Sequence, residues 1–389
     1  MARPRGLLPD GFRLLRVILD PMRPGETAEL GGYFHSDGEG EDGWPVFWPW
    51  PWPVTQAWPV LCFTGKRAED YPWFTPNRVL LDQEGMRLRV FGQPARGVLP
   101  VLIVAPHAGH SATIADFAQG QSIVAALLSA GIPAIMVTDW KPARREMRDF
   151  TIESYLLEID AAIDELGGKV HLVGLCQGGW MSAMIAARNP GKVVSMVLAG
   201  SPVDAGAGNG AISRLANSIP FATYEQMVML GGGLMPGPFM LAGWESLRIA
   251  GWARASVPQG AEDEEPMEYS PAFAHWYQHT LDLPGRYYLE VVWRIFKRNE
   301  LAKGRFEALG QVLSLADVTC PTWLLAGQYD RIVPPEQAFA TAGLLGSRED
   351  DVVRRLVPDQ HIGLFMGKRT IATTWPEIGR WILSRDQAG

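Results

Sequence analysis

Cysteine is scarce in this chain. There are three in 389 residues: Cys62, Cys176 and Cys320. An odd, sparse set without metal-ligand spacing excludes a disulfide scaffold and a structural zinc site. It fits a reducing compartment that keeps a thiol free, and no metal or cofactor is expected. Charge is modest too, at 20% charged residues and a formal net charge of -7. That balance lacks the basic footprint of a nucleic-acid binder and reads as plain solubility. No stretch reaches the roughly 18 apolar residues that span a membrane. The basic N-terminus is followed by no apolar signal segment before Pro21. The expectation is a cytoplasmic globular protein with no transmembrane segment and no nucleic-acid partner.

Tryptophan, by contrast, is abundant, at 15 residues. Several fall in Trp44-Pro-Val-Phe-Trp48-Pro-Trp50-Pro-Trp52-Pro53, with Trp58 just beyond. Alternating prolines forbid a helix or a central strand there, so the segment is extended. It is read first as an arm that buries its rings on the main domain, and second as an apolar docking surface. Residues 1–95 form an irregular N-terminal extension in this reading, with Met86, Leu88 and Val90 on one face of a half-buried strand.

From residue 96 the pattern is regular. Leu99–Ala105, Ile132–Thr138, Val170–Leu175 and Val193–Ala199 read as strands, with amphipathic helical segments between them from Ile123 and from about Thr151. Such alternation implies right-handed crossovers and a doubly wound, mostly parallel sheet. It breaks over 205–315, which reads as an inserted, mainly helical cap with an acidic loop at Glu262–Glu265. It resumes over 316–389, so the core is 96–204 plus 316–389.

The chemistry is carried by Gly174-Leu-Cys176-Gln-Gly178-Gly179, between a strand and a helix. A nucleophile at the apex of so sharp a turn needs neighbours without side chains, which accounts for Gly174 and Gly178. A thiol there points to acyl transfer through a thioester. It needs a base and an orienting acid, following in that order acid then histidine. Asp330 and His361 each lie just past a strand's C-terminal end, where such sheets place their sites. The backbone N–H of Gln177 and that of Ala108, in Pro106-His-Ala-Gly-His110, are the expected oxyanion donors. His107, His110 and Trp180 are candidate substrate-binding residues. Asp139 is expected to make a structural hydrogen bond. His275 and His279 are a helix-face pair with no third metal ligand in view.

These residues resemble a known family. Leu175-Cys-Gln-Gly-Gly179 is similar to the cysteine lipase box of polyhydroxyalkanoate synthases, as are Thr138-Asp-Trp140 with Tyr155, Leu301–Gly304, Asp330-Arg-Ile-Val-Pro-Pro335 and His361-Ile-Gly363. Pro106–Thr113, Gly200-Ser-Pro-Val-Asp204, Tyr287–Val292 and Leu364–Arg369 look more like the related intracellular polyhydroxyalkanoate depolymerases. The resemblance spans roughly 98–385 and implies an α/β-hydrolase fold acting on a polyester or an acyl thioester, with a granule surface and a second copy of the chain as candidate partners. Depolymerase-like segments outnumber the others outside the elbow, so a cysteine-nucleophile hydrolase of 3-hydroxyalkanoate esters or polymer is the first expectation. A synthase that polymerises 3-hydroxyacyl-CoA is the alternative. A non-catalytic granule-associated protein is the third, disfavoured by the intact Cys-Asp-His set.

Overall fold

The computed structural model describes residues 71–249 and 270–386. The Trp-rich arm, Cys62 and the acidic loop Glu262–Glu265 lie outside the described residues. The described residues form an eight-stranded sheet: β1 (Asn77–Asp82), β2 (Met86–Gly92), β3 (Val101–Val104), β4 (Ala134–Trp140), β5 (Val170–Leu175), β6 (Val193–Ala199), β7 (Thr322–Gly327) and β8 (Val352–Val357). Their spatial order is β1-β2-β4-β3-β5-β6-β7-β8. From β4 to β8 every neighbouring pair is parallel, while β1 and β2 form an antiparallel flank joined to β4.

The local reasons are visible in the residues. β3 and β5 are buried at every position and apolar but for His171, as strands covered by helices on both faces are. β2 alternates as expected, with Met86, Leu88 and Val90 buried and Arg87 and Arg89 half-buried. The sheet therefore begins at Asn77, inside the segment assigned to the N-terminal extension, so the boundary at 95/96 does not separate extension from core. Periodicity over so short a flank reported a strand but not which sheet it joins.

Three helices cross between strands in the first half: α1 (Ile123–Ser129), α2 (Ile152–Glu165) and α3 (Gln177–Arg188). Ser122 caps α1 with its hydroxyl. Thr151 caps α2 in a reciprocal box with Ser154, which satisfies two otherwise orphaned groups at that helix start. α3 is buried along nearly its whole length because the sheet lies on one side and further elements on the other. Between β6 and β7 come α4 (Ala211–Ser218), α5 (Phe221–Leu230), α6 (Gly237–Ile249), α7 (Pro271–Gln278) and α8 (Gly285–Glu290), the last running on into a π-helical turn at Val291–Lys297. This segment is fastened to the core by specific bonds. Trp276 Nε1 donates to Thr113 Oγ1 at 3.0 Å, and the Ala143 N–H donates to the Asp282 carbonyl at 2.9 Å. Between β7 and β8 comes α9 (Pro335–Ala340), and after β8 come the short α10 (Gly363–Met366) and the long α11 (Lys368–Asp386).

At the far end of the sheet, His171 is wholly buried on β5. Its Nδ1 meets Ser195 Oγ at 2.8 Å and its Nε2 meets Asp386 Oδ1 at 3.2 Å. The same carboxylate oxygen accepts from the Leu99 N–H at 3.2 Å. These bonds stitch the end of α11 to β5, β6 and the approach to β3. No helix among the described residues is long and apolar enough to cross a membrane.

Candidate active site

β5 runs straight into α3 with Cys176 as the single residue between them. Cys176 has φ 47° and ψ -115°, a conformation that a side chain resists and that is held only where the surroundings overdetermine it. The surroundings do so through the flanking glycines. A Cβ on Gly178 would lie 2.0 Å from the Val104 carbonyl oxygen, and one on Gly174 would lie 2.4 Å from Gly179 Cα. The Cys176 N–H donates to the Ala199 carbonyl at 2.9 Å, which fixes the turn to β6. The thiol is thus presented at the C-terminal edge of the sheet, 5% exposed.

The two other expected members arrive from the loops after β7 and β8. His361 Nδ1 donates to Asp330 Oδ2 at 2.6 Å, with both side chains nearly buried. The other Asp330 oxygen, Oδ1, accepts from the backbone N–H groups of Ile332 at 2.9 Å and Val333 at 2.8 Å. One oxygen holds the loop and the other aims at the histidine, so the carboxylate cannot swing away. With Nδ1 committed, Nε2 is left for the Cys176 sulfur, to which the imidazole is also hydrogen-bonded. Burial works against a charged His361. The Asp330 carboxylate and Cys176 together outweigh it and hold the imidazole up at about 10.

The expected oxyanion donors sit on adjoining elements. Gln177 is the first residue of α3, so its N–H lies at the positive end of that helix. Ala108 lies on the loop after β3, which is pinned twice: Trp244 Nε1 donates to its carbonyl at 3.3 Å, and Tyr287 OH donates to the His107 carbonyl at 3.2 Å. Trp244 was not expected here, and nothing in its sequence surroundings signals that role.

The candidate substrate residues divide. His107 is buried inside an aromatic nest of Trp140, Tyr155 and Tyr287, with ring centroids 4.9, 4.5 and 4.7 Å away. Desolvation lowers its pKa to about 3, so it is neutral. Tyr287 also feels the charge of Cys176, and burial first, then Tyr155 and Cys176, push its phenol well upward. The nest is therefore within electrostatic reach of the thiol. His110 is stacked between Trp276 and Tyr277, and its Nε2 donates to the Tyr277 carbonyl at 3.0 Å. Burial takes it down to about 4. Trp180, the third candidate, is wholly buried on α3, a helix enclosed along nearly its whole length.

Three further residues behave structurally. The Asp139 carboxylate accepts from Arg89 Nε at 2.6 Å and ties β2 to β4. The rings of His275 and His279 meet at a tilt, 4.3 Å between centroids, and both lie against Tyr71. Among the described residues, no group of three metal-ligating side chains converges.

A sheet in this order, with the sharp turn at Cys176 after a central strand and Asp330 and His361 just beyond the ends of β7 and β8, has the layout of an enzyme of the α/β-hydrolase fold. The crystal structure of lip1 from Acinetobacter baumannii AYE shares that fold, at TM-score 0.51 and 13% identity over 81% of this chain and 93% of that one. The chain belongs to the family described as "Protein of unknown function (DUF3141)", whose model matches residues 93–362. It is also similar to the poly(3-hydroxyalkanoate) polymerase subunit PhaC of Allochromatium vinosum, 25% identical over 76% of this chain and 83% of that protein. The polymerase subunit PhaC of Haloferax mediterranei is 24% identical over 81% of this chain, which spans only 65% of that relative's length. The resemblance read from the elbow motif is borne out by these relatives.

Proposed function

We propose that this protein is a cysteine-nucleophile acyltransferase of 3-hydroxyacyl thioesters, extending a polyester chain. The observation that carries the reading is the elbow thiol of Cys176 joined to an imidazole that Asp330 holds at 2.6 Å. The Cys176 sulfur attacks the thioester carbonyl. His361 stores the thiol proton and returns it to the leaving group. Asp330 fixes the imidazole tautomer and stabilises its cation. The N–H groups of Gln177 and Ala108 face the developing oxyanion.

The relatives' names weigh toward polymerisation rather than the hydrolysis first expected from the depolymerase-like segments. The two outcomes share the acyl-enzyme and differ in whether a hydroxyl or water resolves it. A polyester product would leave the enzyme at a granule surface. Incubation with 3-hydroxybutyryl-CoA, and separately with amorphous polymer, tests the reading. CoA release with chain growth, lost in Cys176→Ala, supports it. Monomer release from polymer without chain growth would reverse it in favour of the hydrolase, and full activity in Cys176→Ala would remove the nucleophile.

A further inference from the structure

Some buried polar atoms beside the elbow have no work in the mechanism above. Both ring nitrogens of His107 lack a protein hydrogen-bond partner, as does the Tyr155 hydroxyl. His107 is 1% exposed and Tyr155 wholly buried. Their rings meet edge to face at 4.5 Å, so the two sets of unpaired atoms belong to one nest. Buried polar groups without partners cost folding stability, and native proteins leave few of them. The remaining walls, Trp140 and Tyr287, present ring faces to the imidazole. Next in sequence to His107 stands Ala108, the expected oxyanion donor, and Tyr287 reaches both the His107 carbonyl and the field of Cys176.

Because the imidazole is neutral, it offers one N–H donor and one bare nitrogen acceptor. A carboxylate or phosphate would demand donors alone and would meet a desolvated aromatic wall. A hydroxyl both donates and accepts, and matches this pair. We infer that His107 and Tyr155 form the binding site for the acceptor hydroxyl, the alcohol end of the chain that takes the acyl group from Cys176. The inference rests on the acyl-enzyme reading and names its second substrate. In the step, the alcohol oxygen bonds to the thioester carbon and the C–S bond breaks. The hydroxyl proton passes to His361, which returns it to the departing sulfur. His107 holds and orients the alcohol, exchanging no proton.

The test starts from full-length protein acylated by 3-hydroxybutyryl-CoA, with acylation of Cys176 read by mass spectrometry. Methyl 3-hydroxybutanoate is then added as the probe alcohol, and the ratio of ester to free acid is measured. His107→Phe should lower the ester-to-acid ratio, read per acylated Cys176, at least tenfold. Tyr155→Phe should lower it severalfold, and His107→Gln, which keeps a donor and an acceptor, should recover part of the loss. An unchanged ratio in His107→Phe overturns the inference. So does a ratio that rises, which would make the nest a holder of hydrolytic water. Should His107→Phe fail to fold, an unchanged ratio in Tyr155→Phe is decisive against it. Failure of the native protein to acylate Cys176 at all is a separate result, which removes the acyl-enzyme reading itself.

Discussion

Acid should weaken this fold in a way that one substitution can isolate. In the native state His107 is held neutral down to about 3 and His110 down to about 4, both by burial. In the unfolded chain each titrates near 6.5. Between those limits the unfolded state binds more protons, so stability is complete above about pH 6.5 and is lost as pH falls. From pH 7 to pH 5 the linkage relation gives about 2 kcal/mol for each histidine. His361 acts in the opposite sense and contributes less over that interval, about 1 kcal/mol, and it is common to native protein and variant. Its folded value, at about 10, lies above the unfolded one, so its stabilisation is present below 6.5 and is lost only as pH rises toward 10. The buried carboxyls of Glu158, Glu290 and Asp359 are raised chiefly by desolvation and act in the opposite sense to His107. They are common to native protein and variant, and cancel in the difference. Urea unfolding followed by tryptophan fluorescence, on native protein and His107→Phe at pH 7 and pH 5, reads the effect. The stability difference should move by about 2 kcal/mol in the variant's favour at the lower pH. A difference that is the same at both values would refute the claim that His107 is buried uncharged.

Other expectations follow from the same geometry. Asp330→Asn removes the charge facing Nδ1, so the pH profile of Cys176 alkylation should shift and turnover should fall by about 100-fold or more, with the Ile332 and Val333 contacts preserved enough for folding. An unaltered profile would mean that the pair is not coupled. Gly178→Ala drives a methyl group to 2.0 Å from the Val104 oxygen; a loss of at least about 3 kcal/mol is expected, read as insoluble expression or a lowered melting temperature. Asp139→Asn should cost about 1 to 2 kcal/mol by removing the charge that Arg89 faces, while Arg89 keeps its bond to Asn77 Oδ1, yet leave turnover per folded molecule unchanged. A selective loss of turnover there would move Asp139 into the site.

Much of the site was legible because each part obeys a local rule. The elbow glycines announce a turn too tight for side chains, and the structure puts backbone atoms where their Cβ atoms would be. Strand ends announce Asp330 and His361, since a parallel sheet gathers its C-terminal loops on one edge. Thr151 was readable as a helix start from its own cap. What escaped depends on tertiary contact. Trp180 has the same neighbours in sequence whether it is exposed or buried, and only the enclosure of α3 decides. Trp244 supports Ala108 across 136 residues, a distance no motif spans. β1 and β2 looked like an appendage because a short alternating segment says nothing about its partner, and here the partner is β4.

The stitch at Asp386 sets a timetable for synthesis. His171 lies in the middle strand of the sheet, and its Nε2 and the Leu99 N–H both wait for a carboxylate 215 and 287 residues further along. β7 and β8, which carry Asp330 and His361 to the thiol, are also made only after the intervening helices. A ribosome that has translated the elbow has therefore produced a reactive-looking turn with neither its base nor the far anchor of its own strand. Folding of the core is then an event that follows translation of residue 386, and chaperone contact with the incomplete sheet should persist until that point.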